Sequence, residues 1–106
     1  MSMTKIRLKQ IEKRIERIRS ELAKIEGMRP GSLTRQYKDP QQQTGAYYQL
    51  SYTLDMRSRT EYIRKDCVSE VRRQIKQYKR HKQLNAEWVS LGIEHSRLTM
   101  KLAQSS

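Results

Sequence analysis

The sequence predicts an α+β chain in the order α-β-β-β-α. A long N-terminal helix precedes a three-stranded antiparallel sheet and a long C-terminal helix, and the two helices pair as an antiparallel, coiled-coil-like stalk. Three observations carry this prediction. Apolar residues recur at steps of three and four over the first helix, Tyr, Thr and Ile gather between residues 31 and 65, and no proline follows Asp66.

The first helix is expected over residues 4–26. Leu8, Ile11, Ile15, Ile18, Leu22 and Ile25 form an a/d seam, the pattern that brings one narrow stripe of a helix against a partner helix. Lys, Arg and Glu occupy the other faces, so the helix needs that partner to be stable. Gly27 and Pro30 end it.

Residues 31–65 are expected to form the β head, with strands Leu33–Lys38, Ala46–Leu54 and Arg57–Arg64. The run Asp39-Pro40-Gln41-Gln42-Gln43-Thr44-Gly45 reads as a loop from its Pro, Gly and polar content. Five of the six tyrosines lie between Tyr37 and Tyr62, and there is no phenylalanine. Two hairpin registers are open. A two-residue turn at Asp55-Met56 sets Leu54 opposite Arg57, Tyr52 opposite Arg59 and Leu50 opposite Glu61, and puts Tyr48, Tyr52, Arg57 and Arg59 on one face. A three-residue loop, Asp55-Met56-Arg57, makes Tyr48, Leu50, Tyr52, Thr60 and Tyr62 a core face and turns Arg59 outward with Gln49, Ser51 and Thr53. One residue of slip exchanges the two faces of a strand. In either register the tyrosines are expected mainly to build the core.

The last helix is expected over residues 66–103, with Asp66 as its N-cap. Val68, Val71, Ile75 and Tyr78 make a first stripe that covers the sheet. After a phase shift near His81, Leu84, Trp88, Leu91, His95, Leu98 and Leu102 make a second. It matches the first helix's seam in length, which suggests Ile25 near Leu84 and Leu8 near Leu102. His95 reads as a tolerated polar member of the seam. The 106 residues are expected to be one domain.

The net charge of +12 arises from 23 Lys and Arg against 11 Asp and Glu, and all three segments of the chain share the excess. A fold this basic attracts polyanions, nucleic acid above all. The strongest cluster is Val71–Lys82, with six Lys and Arg and no acid. The expected nucleic-acid contacts are Arg57, Arg59, Arg64, Lys65, Arg72, Arg73, Lys76, Lys79 and Arg80.

Enzyme classes find little support. One cysteine, Cys67, excludes an internal disulfide framework and a Cys-based zinc cluster. It and His81, fourteen residues apart on one helix, stand about 21 Å apart along the axis, and no nucleophile, base and orienter assemble. No metal or other cofactor is expected. The absence of a long apolar run or signal-peptide core suggests no membrane association and a cytoplasmic location.

Gly31-Ser32-Leu33, Tyr37, Thr44-Gly45-Ala46-Tyr47-Tyr48-Gln49-Leu50-Ser51, Arg59-Thr60-Glu61-Tyr62-Ile63, Glu70-Val71-Arg72-Arg73-Gln74-Ile75 and Tyr78-Lys79-Arg80 occur in that order. Over roughly residues 28–100 this series resembles a family of small basic bacterial proteins of unknown function, often found near transposases and other mobile-element genes. The resemblance implies a mobile-element setting, and through it DNA rather than RNA. That family commonly has cysteines between the positions of Tyr37 and Gly45, where this chain has none, and an Asn-Gly-type turn in place of Asp55-Met56. The expected function is a non-enzymatic DNA-binding accessory. The alternative is a protein-interaction adaptor or homodimer using the helical stalk.

Overall fold

The computed structural model describes residues 2–105 and has the expected element order. Helix α1 spans Met3–Ala23, strands β1, β2 and β3 span Ser32–Asp39, Thr44–Leu54 and Arg57–Ile63, and helix α2 spans Val68–Ser105. The chain divides into two compact units: one holds the residues through Glu26 and those from Arg80 onward, the other is Gly27–Lys79.

In the helical unit, the Ser2 side chain accepts from the Lys5 backbone N–H and caps α1. The helix ends at Ala23, not at residue 26, because the chain tightens there: Lys24 and Ile25 donate to the carbonyls of Glu21 and Leu22, three residues back. Ile25 is therefore half-buried but lies outside the helix. Ile11, Ile18 and Leu84 are buried, and Leu8, Ile15, Leu22, Trp88, Leu91, His95, Leu98 and Leu102 are half-buried.

Arginine–glutamate pairs at heptad steps fix the alignment of the helices. Arg7 meets Glu94 at 2.7 Å, Arg14 meets Glu87 at 2.6 Å, and Arg80 meets Glu21 at 2.5 Å. One member advances by seven residues as the other retreats by seven, which requires antiparallel helices. His95 Nε2 lies 3.1 Å from Glu12. This alignment corrects the expected one: Glu94 and His95 stand level with Arg7 to Glu12, so Leu8 is more than a turn away from the predicted Leu102 partner. Counting apolar positions could not see the charge pairs that set the register. Hydrogen bonds from Arg14 and Arg7 hold the carboxyls of Glu87 and Glu94 below the usual carboxylate range.

The second unit is a sheet in the order β1-β2-β3, antiparallel throughout. Leu54 pairs with Arg57, Tyr52 with Arg59, Leu50 with Glu61 and Tyr48 with Ile63, so the two-residue turn is the one that forms. Asp55 and Met56 both take positive φ, 53° and 62°, the sense of backbone twist that joins two antiparallel strands through two residues. Across β1, Leu33 pairs with Leu50 and Arg35 with Tyr48. Leu50 and Ile63 face the start of α2, where Val68, Val71 and Ile75 close the core, with Leu33, Tyr48 and Tyr52 packed against it.

Asp66 is not the cap of α2. It sits inside a single 3-10 turn, Lys65–Cys67, and its carboxylate accepts from Arg64. Arg29 ties down the segment that leads into β1. Its backbone N–H donates to the Gln74 carbonyl at 3.2 Å, its guanidinium donates to Glu61 at 2.6 Å, and it lies 5.4 Å from the Tyr52 ring centroid.

Candidate nucleic-acid interface

The positions of the basic side chains follow from the face of α2 that is buried. Val68, Val71 and Ile75 turn to the sheet. Arg72, Lys76 and Lys79, spaced at i, i+4 and i+7, therefore share a neighbouring face, one turn above another. With Ile75 and the Gly31-Ser32-Leu33 entry to β1, they line a cleft of about 520 Å³ that has no carboxylate among its lining residues. Gly31 makes the wall possible. Its φ is +134°, and a Cβ there would stand 2.8 Å from Leu50 Cδ1 and 2.9 Å from the Ser51 carbonyl oxygen, closer than real side chains come. A larger residue there requires the Ser51 backbone or the Leu50 side chain to shift.

Among the described residues, Arg72, Lys76 and Lys79 make no ion pair. Other predicted contacts are differently placed. Arg73 donates to Glu70 at 2.6 and 3.0 Å, Arg80 to Glu21 at 2.5 Å, and Arg64 to Asp66 at 2.9 Å. The Arg73 hydrogen bonds hold the Glu70 carboxyl below its ordinary range. Arg57 and Arg59 are exposed near the start of β3, on the strand face that carries Tyr48, Tyr52 and Leu50. Lys65 belongs to a separate, smaller cleft of about 110 Å³ with Arg35, Tyr47 and Tyr62. The predicted cations are thus not one patch. Three of them form a cleft, three already hold carboxylates, and the remainder lie on β3 and the 3-10 turn.

The register also sorts the tyrosines. Tyr48 and Tyr52 cover the core, which uses the rings that had been matched with Arg57 and Arg59. Tyr47 and Tyr62 point to the other side of the sheet and approach to 6.4 Å between ring centroids, tilted by 35°. Tyr47 was not singled out from sequence, and Tyr62 was expected on the core face only in the three-residue-loop register, which does not form. The strand alternation that places them together becomes readable only after the turn is known. No group of three or more His, Cys, Asp or Glu among the described residues could hold a metal ion, and no helix is long and apolar enough to cross a membrane.

Fold and site together define a small basic α+β protein with a cationic cleft between the entry to its sheet and its covering helix. The chain belongs to a domain family of unknown function, DUF6788, whose sequence model matches residues 8–73. That match takes in most of α1, the whole sheet and the first turns of α2. Membership supports the resemblance to an uncharacterised family and assigns no activity. No curated protein and no solved structure matches the chain.

Proposed function

We propose that this protein is a non-enzymatic nucleic-acid-binding protein, a DNA-binding accessory of a mobile element, that grips the phosphate chain with Arg72, Lys76 and Lys79. The observation that carries this reading is the cleft itself: three cations on one helical face that make no ion pair among the described residues, with no carboxylate in the cleft lining. Acidic residues are present nearby in sequence, at Asp66 and Glu70, but they are bound to Arg64 and Arg73. Positive charge of this kind attracts phosphate, and each phosphate contact releases counterions. Arg57 and Arg59 add exposed cations on β3. The choice of DNA and of a mobile element rests on the sequence resemblance. The test is titration of a labelled random-sequence duplex at low salt. Binding that weakens steeply as salt rises supports the reading, and failure to bind either this duplex or a single strand in dilute buffer overturns it.

A second reading, an interaction adaptor, has one observation in its favour. Val89, Ile93 and Met100 on α2 are about half exposed at heptad-like steps, and Met3 and Ile6 are exposed on α1. A pull-down from the native cells with and without nuclease separates the two readings. Partners retained after nuclease treatment favour the adaptor, and partners lost favour polymer bridging.

A further inference from the structure

The cationic cleft leaves one constellation unused. Tyr47 and Tyr62 stand side by side on the face of the sheet that α2 does not cover, and Tyr62 is 66% exposed. A tyrosine in a thin protein with few aromatics would gain more by burial, as Tyr48 and Tyr52 do. Two clefts meet at this pair. On one side Tyr47 and Tyr62 join Tyr37, Lys38, Gly45 and Ala46 around a cleft of about 540 Å³, and on the other they join Arg35 and Lys65. No carboxylate lines either cleft, and Lys38 and Lys65 make no ion pair among the described residues; Arg35, paired with Tyr48 on the core-side face, reaches the sheet edge with its guanidinium 5.4 Å from the Tyr37 ring centroid. Gly45 keeps the floor low. A Cβ there would come within 3.0–3.3 Å of the Lys38 side chain, whose alkyl stem lies across the glycine.

Beyond the pair, the same face carries Thr34, Gln36, Gln49, Ser51, Thr53, Ser58 and Thr60. These are uncharged groups that donate and accept hydrogen bonds. The surface is therefore aromatic and polar at its centre and cationic at its rim. Phosphate alone has no use for the rings. An unpaired base offers a flat π-face to a tyrosine while its own phosphates reach the rim, the combination by which sheet proteins hold single strands.

We propose that Tyr47 and Tyr62 form a stacking platform for unpaired bases, so that the protein binds single-stranded nucleic acid in preference to blunt duplex. The proposal rests on the nucleic-acid reading and adds the form of the polymer. Lys38, on the same face, and Lys65, at its edge, hold the phosphates on either side of the stacked base, and the Ser, Thr and Gln side chains meet base edges along the strand.

The experiment is an anisotropy titration of the full chain with labelled oligo-dT and with a blunt duplex of equal length, at one salt concentration. The unmodified protein binds the single strand more tightly. Tyr62→Ala lowers single-strand affinity by about 5- to 150-fold, the range for loss of one stacked base, and leaves duplex affinity unchanged. Tyr62→Phe, which keeps the ring, restores the single-strand affinity. Equal single-strand affinity for Tyr62→Ala and the unmodified protein, while Arg72→Gln/Lys76→Gln/Lys79→Gln weakens both ligands, overturns the platform and leaves the nucleic-acid reading standing. Binding to neither ligand overturns both. Tyr62 is exposed, so its replacement does not put folding at stake.

Discussion

The triple change Arg72→Gln/Lys76→Gln/Lys79→Gln tests whether the charge of this protein acts through its position or only through its sum. The structure places three cations in one cleft without a competing carboxylate. If each meets one phosphate, each contributes about 0.9 to the slope of log affinity against log salt, or about 2.7 for the three. Over the interval from ~50 to ~200 mM salt, that slope corresponds to about a 40-fold change in affinity. The variant should lose this part of the salt dependence. The matched control is Arg7→Gln/Arg14→Gln/Arg80→Gln, which removes the same formal charge from side chains already held by Glu94, Glu87 and Glu21. Partly exposed pairs of this kind are individually weak, so the control should still fold, with a lowered melting temperature, and should keep most of its slope. The assay is duplex titration at several salt concentrations, with thermal melts to confirm folding. Equal slopes for the two variants would show that net charge alone attracts the polymer, and the cleft would lose its role.

Three further outcomes follow from packing and charge. Leu50 is fully buried at the centre of the sheet's core, so Leu50→Ala should cost about 2–5 kcal/mol in urea unfolding. A cost below that range would mean that the sheet closes over the gap. Met56, nearly fully exposed, holds φ at +62°, so Met56→Gly should stabilise the protein by about 1 kcal/mol; an unchanged melting temperature would show a turn of another kind. Glu87 and Glu94 have carboxyl pKa values held below the ordinary 4.5 by Arg14 and Arg7. A depressed folded-state value means that the stabilisation is present above the unfolded pKa and disappears as pH falls through the folded one. Thermal stability should therefore drop with acidification below about pH 4.5, and Glu87→Gln/Glu94→Gln should drop less across that range. Equal acid sensitivity in the two proteins would remove the ion pairs from the explanation.

The family assignment, the basic surface and the tyrosine-rich sheet bear on one another at a single element, the start of α2. Its apolar side closes the core of the second unit while its adjacent side carries Arg72, Lys76 and Lys79. A change that loosens Val71 or Ile75 would therefore disturb the cleft of the proposed binding as well as stability, which is why the exposed Gln replacements are the cleaner probes.

The helices and the three strands were legible in sequence because their causes are local. A seam at steps of three and four is a helix whatever surrounds it, although that helix ends at Ala23, before Gly27 and Pro30, and Val68, Val71 and Ile75 share one side of a turn by geometry. What lay beyond the sequence were choices made between distant residues. The two hairpin registers differ by one position, and the one that forms sets Ile63 beside Leu50 beneath α2 and sends Tyr62 to the open face beside Tyr47. The alignment of the helices depended on carboxylates 59 to 87 residues away from their arginines. Whether a given cation is free to meet a phosphate or already holds a carboxylate is decided by that same long-range folding, because charge is written along the chain but its partners are assigned in space.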